Sequence, residues 1–370
     1  MKILHVADTH IGYSAYHKVD NNGLNQREMD VYDSFRQFVD YAVEKKPDLI
    51  LHSGDLFDTV RPTNRAISFA LQQLIRISKE GIPIVIISGN HETPKLRETG
   101  SVFRIFEHLE GIHTVYRGNY ERFDFGDVAV HAIPHCSTGD ALKNNIESLE
   151  AEEGAYNILM LHVGVSGIKE FRRGDFNEQV IPSGYLSPDF DYIALGHYHN
   201  MTKVSENAYY SGSTEHLSFK EAGGDKGFLE IDTSSGSVEF VPLRNRPMLD
   251  LGIMDCSSMD SDEVTRGIIS RLKDAGTEGS ILRLMLKSIG TGVYRALDFH
   301  SIRKAASDAV HFELAYESKE MEQEVAGEGR IGSLIDEWRE YISNIAIEGG
   351  QAEREAVEKM ALKYLSEAVE

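Results

Sequence analysis

Short apolar runs that end in small or polar residues dominate the first 200 positions of the chain. The clearest are KILHVADTH, DLILHSGD, IPIVIISGNH, NILMLHVG and DYIALGH. Each run is too short for a helix and apolar on both faces, which is typical of strands that are covered on both sides. Two helical patterns, Arg27–Glu44 and Asn64–Glu80, separate the first three runs. This alternation predicts βαβ crossovers.

From about Phe123 the predicted strands follow one another more closely, as in DVAVHAIP, AYYSGS, GFLEID and SVEFVPL. The whole pattern predicts an α/β protein in which residues 1–245 form a layered sandwich with a mixed sheet. Open α/β sheets usually bind ligands at the carboxyl ends of their strands. The polar residues of this chain collect at those ends.

The pattern changes again after residue 245. Residues 248–316 alternate strand and helix patterns, which predicts a small α+β domain. Residues 317–330 are rich in Glu and Gly and predict a linker. Residues 331–370 carry two amphipathic stripes joined by EGGQ, which predicts a helical tail. Packing of this tail on its own domain stays an alternative to binding a partner.

Composition narrows the class of protein. No apolar run approaches the length that crosses a membrane, and the first residues enter a strand pattern without an export signal. Cys136 and Cys256 are the only cysteines, which predicts a reducing, cytoplasmic setting. The net charge of −21 argues against broad attraction to nucleic acid. Local basic patches and bound cations can outweigh that mean, so we expect weak, salt-sensitive DNA binding by this chain alone.

Oxygen and imidazole donors follow the five apolar runs in order. They are Asp8, His10, Asp55, Asn90, His162, His197 and His199. In an extended chain residues two apart point the same way, so the last two imidazoles can face one point. The absence of thiolates argues against a structural zinc cage and favours a catalytic site for Mn²⁺, Fe²⁺ or Zn²⁺. Seven donors are too many for one tetrahedral ion and suit two ions that share a carboxylate.

A lone histidine is more often a surface residue or a satisfied core residue than a ligand. That interpretation holds for several histidines outside the motifs, namely His5, His108, His113, His131, His216, His300 and His311. His52 lies just before the SGD motif, where it either lines the site or simply ends a strand. Only the ordered series of five blocks raises the metal interpretation above this background.

The order D-x-H, G-D-x-x-D, G-N-H-[DE], H and G-H-x-H resembles the calcineurin-like metallophosphoesterases over roughly residues 1–245. The resemblance implies a four-layer α/β/β/α sandwich and two ions that together lower the pKa of a water molecule and clamp a phosphate. It implies a first ion on Asp8, His10, Asp55 and His199. It implies a second ion on Asp55, Asn90, His162 and His197, with Asp55 as the bridge.

The same resemblance implies a role outside the ligand set for His91. This histidine would donate to the phosphate or protonate the departing oxygen. Glu92 would orient His91, and Asp58 would support the ligands or begin a helix.

Three longer stretches, ILHVADTHIGYSAYHK, LILHSGDLFDTVRPTNRA and YYSGSTEHLSF, resemble the meiotic-recombination-eleven family of archaeal type, the nuclease subunit of a DNA double-strand-break repair complex. The resemblance implies two Mn²⁺ ions per subunit, 3′→5′ exonuclease action on duplex ends and endonuclease action on single strands. It adds His17 and His52 to His91 as catalytic candidates, and it makes residues 248–316 a DNA-capping domain.

The family also implies two protein partners. A rad-fifty family ABC-type ATPase with a coiled coil would bind the tail helices, residues 331–370. A second copy of the chain would pack against helices at residues 64–80 and 101–109, whose apolar surface exceeds one core stripe. Core packing alone stays an alternative for these apolar residues.

DNA contacts would come from local basic pairs, each as well explained as a solvated surface group. The pairs are Arg61 with Arg65, Lys95 with Arg97, Arg172 with Arg173, Lys220 with Lys226, and Arg244 with Arg246. Two alternative functions stay open, a calcineurin-like phosphodiesterase or phosphatase on small molecules or phosphoproteins, and a non-catalytic scaffold that tethers DNA ends.

Overall fold

The computed structural model describes residues 1–94, 100–167 and 178–318 of the chain. The chain divides into two compact units. The larger comprises Met1–Asp250, Leu272–Arg283 and Ala305–Glu313. The smaller comprises Leu251–Arg271, Leu284–Lys304 and, of the described residues, 314–318. The predicted tail, residues 331–370, lies outside the described residues.

Two six-stranded sheets with intervening helices build the larger unit. Its strands are β1 (Lys2–Val6), β2 (Leu49–His52), β3 (Ile84–Ile87), β4 (Ile112–Val115), β5 (Glu121–Phe125), β6 (Val128–Ile133), β7 (Tyr156–His162), β8 (Gly164–Ser166), β9 (Val180–Pro182), β10 (Tyr192–Gly196), β11 (Thr202–Lys203), β12 (Ala208–Tyr210), β13 (Gly227–Asp232) and β14 (Ser237–Pro242). Its helices are α1 (Gln26–Lys45), α2 (Asn64–Lys79) and α3 (Gly139–Glu147). The sheet orders are β14-β13-β1-β2-β3-β4 and β11-β12-β10-β7-β6-β5, and β8 pairs with β9.

Three apolar clusters show how these elements are layered. Inward-facing residues of both sheets, such as Leu51 of β2 and Met160 of β7, share one buried cluster between the sheets. The other face of the first sheet packs on α1 and α2, and the other face of the second sheet packs on α3. Central strands such as β2, β3 and β6 bury both faces, so their sequences are apolar without alternation. The predicted α/β/β/α sandwich is confirmed.

Both central helices begin at a side-chain cap. The Asn25 side chain accepts hydrogen bonds from the backbone N–H groups of the first turn of α1, and Thr63 does the same for α2. The observed bounds agree with the predicted helices within one residue at each end. The connections place β1, β2 and β3 side by side and parallel, as a βαβ arrangement requires.

The predicted helix at residues 101–109 is wrong. Only Val102–Ile105 is helical there, as a single 3₁₀ segment. Phe103 and Phe106 are both fully buried in the apolar cluster that also contains residues of α2. These apolar residues of the segment therefore serve core packing. Ile105 is the exposed apolar residue that remains in the segment.

Residues 248–318 contain β15 (Met248–Asp255), α4 (Ser261–Ala275), β16 (Ile281–Ile289), α5 (Thr291–Arg295), α6 (Phe299–Ala305) and β17 (His311–Ser318). The strands form a sheet in the order β15-β16-β17. The sequence pattern does not predict the short helix α5. Strand β17 ends at Ser318 and so extends two residues into the predicted linker. Within the described ranges no helix has the length and apolar character to cross a membrane.

Candidate metal centre

The predicted donors come together where the two sheets meet at the carboxyl ends of their parallel strands. In the second sheet His162 of β7 pairs with Gly196 of β10, so both strands end at one level. Hydrogen bonds join the sheets at this edge. His162 Nδ1 donates to the Ser53 carbonyl oxygen at 2.8 Å. The His197 backbone N–H donates to Asp8 Oδ1 at 3.0 Å.

Hydrogen bonds at the outward nitrogens leave the inward imidazole nitrogens available to a metal ion. His10 and His199 each direct Nδ1 at a carboxylate, so in the neutral ring Nδ1 is the donor and Nε2 is the acceptor. The two Nε2 atoms lie 3.3 Å apart. His162 donates through Nδ1, and its Nε2 lies 2.9 Å from Asn90 Oδ1 and 3.2 Å from Asp55 Oδ2. Nitrogen and oxygen ligand atoms that converge in this way fit cations between them.

Asp55 lies at the middle of this arrangement. Among the described residues, three groups of side chains bring their ligand atoms within 4.8 Å of one another, and Asp55 belongs to two of them. The groups are Asp8 with His10 and His199, His10 with Asp55 and His91, and Asp8 with Asp55 and His162. Oxygen and imidazole donors without thiolates fit Mn²⁺, Fe²⁺ or Zn²⁺.

The backbone is strained at several of these donors. Asp8, His10, Asp55 and His197 have positive φ angles of 52°, 44°, 53° and 102°. Residues with a Cβ rarely adopt this region, and such strain concentrates at functional sites. The surrounding hydrogen bonds hold the strained loops, as when the Asp8 and His10 N–H groups donate to the Gly54 and Asp55 carbonyl oxygens at 3.0 Å each.

Two glycines allow the donors to approach closely. A Cβ at Gly89 would overlap the Asp55 carboxylate, and a Cβ at Gly196 would overlap the Ser53 carbonyl oxygen and crowd His162. The apolar run of β10 therefore ends in glycine because the two sheets touch there.

Burial and mutual charge set the protonation of the site. Burial raises the pKa of Asp8, although the neighbouring histidines oppose it. Burial also acts to raise the pKa of Asp55, but His162 and His10 hold it well below its usual range. Burial would lower the pKa of His162, but Asp55 and Asp8 raise it to about 10. A divalent cation bound here would displace that proton.

Known proteins are similar to the part of the chain that contains the seven donors. A family model described as calcineurin-like phosphoesterase matches residues 1–201. The DNA double-strand break repair protein Mre11 of Methanocaldococcus jannaschii is 32% identical over 283 residues, covering 70% of this chain and 71% of that protein. The chain belongs to the Mre11 family of calcineurin-like phosphoesterases.

Further Mre11 proteins of archaea are similar over shorter stretches. That of Methanococcus maripaludis is 32% identical over 248 residues, covering 63% of each chain. That of Saccharolobus solfataricus is 34% identical over 209 residues, covering 56% of this chain and 51% of the relative. The chain thus spans about half to two thirds of the length of these two Mre11 relatives.

His91, a predicted catalytic residue of this Mre11-family chain, lies beside the donors. Its Nδ1 donates to the Asp58 carbonyl oxygen at 2.9 Å, and its ring contacts the His10 ring edge-on at 4.7 Å. Asp58 also accepts from His10 Nδ1 at 3.2 Å, so this residue positions two histidines.

The predicted role of Glu92 in orienting His91 is wrong. Its Oε1 accepts from the Gly89 and Leu56 backbone N–H groups at 3.0 and 3.2 Å, and burial raises the pKa of this carboxyl. Glu92 stabilises the loop that carries Asp55, because its carboxylate accepts a hydrogen bond from the backbone N–H of Leu56, the residue after Asp55.

His52 is buried behind the donors. Thr9 Oγ1 donates to the Leu56 carbonyl oxygen, so it accepts from His52 Nε2 at 3.0 Å. Burial lowers the pKa of His52 to about 3, so the ring is neutral. Its contact supports the loop between Asp8 and His10.

His17 lies apart from the donors. It is exposed and belongs to none of the metal-capable groups found among the described residues. It lies near His311, whose pKa is lowered by burial and to a smaller extent by His17, although Glu313 opposes them. The catalytic assignment of His17 therefore gains no support from this geometry.

The predicted DNA contacts need correction. Lys226 is fully buried, and Arg246 binds both oxygens of Asp30 at 2.7 Å, so neither is free to meet a phosphate. Arg61, Lys220 and Arg244 are exposed, and Arg65 is half-exposed with an ion pair to Glu28. The pairs Lys95 with Arg97 and Arg172 with Arg173 lie outside the described residues.

Sequence reasoning missed three residues that contact the HxH histidines. Glu178 lies 3.2 Å from His197 Nε2, and Glu221 lies 3.1 Å from His199 Nδ1. Lys226 binds Glu221 in turn. These acidic and basic residues follow no motif spacing, so nothing in the sequence distinguishes them from surface charges.

Proposed function

We propose that this chain is a metal-dependent DNA nuclease of double-strand-break repair. The observation that carries the proposal is the set of seven donors at five strand ends, whose inward ligand atoms converge on one centre. The relatives named DNA double-strand break repair proteins support DNA as the substrate. The proposed activities are 3′→5′ exonuclease action on duplex ends and endonuclease action on single strands.

Two Mn²⁺ ions per subunit are the proposed cofactors. The first would be held by Asp8, His10, Asp55 and His199, and the second by Asp55, Asn90, His162 and His197. Bound divalent ions lower the pKa of water and neutralise the charge of a phosphodiester. Hydrogen bonds to neighbouring residues, such as those from His10 to Asp58 and from His199 to Glu221, orient these donors. Burial of most of the donors limits the access of water to them.

His91 is the proposed proton donor to the departing oxygen. Its Nδ1–H is held by the Asp58 carbonyl oxygen, so Nε2 is the nitrogen at which the ring can hold and release a proton. The half-exposed position of the ring is compatible with contact to a bound DNA strand.

The proposed partners are DNA, a rad-fifty family ABC-type ATPase and a second copy of the chain. The ATPase would bind residues 331–370, which lie outside the described residues. The dimer contact would use α2, whose Ile67 and Ile75 are incompletely buried, together with exposed Ile105. The proposed location is the cytoplasm, at the nucleoid in a prokaryote.

A cleavage assay on the purified chain tests the function. End-labelled duplex, circular single-stranded DNA and a phosphomonoester are each incubated with Mn²⁺, Mg²⁺ or chelator. We expect Mn²⁺-dependent DNA cleavage, reduced at least about 100-fold by His91→Asn. The matched control is His108→Asn, which changes an exposed histidine that belongs to none of the metal-capable groups among the described residues.

Two outcomes would contradict the proposal. Efficient phosphomonoester turnover with intact DNA would favour a small-molecule phosphatase. Binding of DNA ends and Mn²⁺ without any hydrolysis would favour a tethering scaffold.

A further inference from the structure

A buried ion pair lies directly behind His199. Glu221 ends a short 3₁₀ segment, Phe219–Glu221, and its side chain is 7% exposed. Its Oε1 accepts from His199 Nδ1 at 3.1 Å and from Ser218 Oγ at 3.0 Å. Its Oε2 accepts from Lys226 Nζ at 2.7 Å and from the Leu217 N–H at 3.2 Å. Every lone-pair direction of this carboxylate thus has a donor.

Lys226 uses all three of its donor hydrogens inside the protein. Nζ donates to Glu221 Oε2 at 2.7 Å, to the His199 carbonyl oxygen at 2.7 Å and to Ser213 Oγ at 3.0 Å. The side chain has no exposed surface. A lysine so buried is rare, and burial of its charge costs free energy unless its partners are complete. Here they are complete.

The pair holds His199 at two points. Glu221 holds the imidazole ring through Nδ1, and Lys226 holds the backbone of the same residue through its carbonyl oxygen. A carboxylate on Nδ1–H fixes the tautomer in which Nε2 carries the lone pair, and Nε2 is the atom that faces His10 Nε2. Lys226 also neutralises Glu221, so the site gains an orienting carboxylate without further negative charge beside Asp8 and Asp55.

We propose that Glu221 and Lys226 are positioning residues that fix the ring and tautomer of His199 for metal binding. The inference rests on the proposed function, since it assigns His199 Nε2 to a metal ion. It extends that function, because neither residue belongs to the ligand set and Lys226 has no free surface for DNA. Orienting partners of this kind change metal affinity about 10- to 100-fold when removed.

A Mn²⁺ titration of the full chain, followed by the EPR signal of free Mn²⁺, tests the pair. We expect the wild type to bind two ions, and Glu221→Gln to weaken one of them about 10- to 100-fold with the other unchanged. Ser218→Ala is the matched control, because it removes the other bond to Oε1 and leaves the His199 contact in place. An unchanged affinity in Glu221→Gln would overturn the proposal.

A double-mutant cycle separates positioning from general support of the fold. His199→Ala removes the ring on which Glu221 acts, so adding Glu221→Gln should then change Mn²⁺ affinity less than about twofold. A fully additive loss would show that Glu221 acts through the fold and not through the ring. Failure of the wild type to bind Mn²⁺ at all would instead overturn the proposed function.

A measurement on the wild type keeps the proposal testable if the variants unfold. Nitrogen-15 NMR of the metal-free chain, with the His199 signals assigned by their loss in His199→Ala or by through-bond correlation, reports the tautomer directly. At an alkaline pH at which the ring is neutral, we expect protonated Nδ1 and unprotonated Nε2 on His199. A ring protonated at Nε2 alone would contradict the assignment of Glu221 as the acceptor from Nδ1.

Discussion

His197 and His199 are separated by one residue, yet the protein supports them in opposite ways. His199 directs Nδ1 at Glu221 and Nε2 inward, and Lys226 neutralises the carboxylate behind it. His197 directs Nε2 at Glu178 and Nδ1 toward Asn90 Oδ1 at 3.3 Å. The two rings thus present different nitrogens to the site.

The difference arises in the backbone. The sequence pattern predicts an extended H-x-H in which both side chains point the same way, but β10 ends at Gly196 and His197 has a φ of 102°. The strained residue turns its ring so that the other nitrogen faces inward. Burial lowers the pKa of His197 to about 3, whereas the pKa of His199 is raised because the bond to Glu221 outweighs burial.

The charge behind each ring differs as well. The His199 side contains Glu221 paired with Lys226, and the His197 side contains Glu178 at a 3.2 Å contact. Removal of the Lys226 charge should therefore lower the unfolding free energy more than removal of Glu178 does. The following changes test how the protein supports the two histidines, in order of decreasing effect on the stability of the fold.

Lys226→Met should have the largest effect on stability. It leaves Glu221 as a buried charge without its cation, which costs about 3–5 kcal/mol of unfolding free energy. Urea denaturation measures the change. Lys220→Met is the matched control, because Lys220 is exposed and should change stability by less than about 0.5 kcal/mol. Equal effects of the two variants would refute the buried pair.

Acid should weaken the region beside Lys226 through Glu215, whose carbonyl oxygen accepts from Ser213 Oγ at 2.8 Å. Burial would raise the pKa of Glu215, but bonds to His216, Arg27 and Asn245 lower it to about 2. A depressed carboxyl pKa stabilises the fold above the unfolded value near 4.5 and loses this contribution as the pH falls toward 2, about 3 kcal/mol in all.

The measurement is the unfolding free energy from pH 6 to pH 2 for the wild type and Glu215→Gln. The difference between them should shrink as the pH falls. Glu206→Gln, at a fully exposed side chain, is the control and should follow the wild-type curve. A constant difference across the range would mean that Glu215 does not titrate with folding.

Gly196→Ala tests the close approach of the sheets beneath both histidines. The added Cβ overlaps the Ser53 carbonyl oxygen, and such overpacking costs about 1–3 kcal/mol. Thermal unfolding measures the loss. Gly184→Ala is the control, because open space surrounds a Cβ there. Similar melting of the two variants would show that the sheets separate freely at Gly196.

Glu178→Gln should have the smallest effect on the fold. We expect about tenfold weaker Mn²⁺ binding at one ion, and a stability change of less than about 1 kcal/mol. Combining it with Glu221→Gln should weaken both ions, because each carboxylate supports a different histidine. If the two variants weaken the same ion, the separate supports are refuted.

The sequence predicts the ordered strand ends and the central helices because local signals specify them. Apolar runs define β1 and β10, and side-chain caps at Asn25 and Thr63 begin the helices. The partners of Lys226 lack such signals, since Ser213 and Glu221 meet it only through turns after β12. The prediction of a helix at residues 101–109 is wrong because apolar residues at this spacing are found both in amphipathic helices and in irregular segments that pack into a core.

The wide separation of the donors along the chain has a consequence for biosynthesis. His10 and His199 lie 189 residues apart, and their rings meet only after both sheets have formed and packed. Long-range contacts form late because loop closure costs entropy before they can form. A nascent chain therefore cannot assemble the complete centre until residue 199 has left the ribosome. Metal loading thus reports that the sandwich has closed.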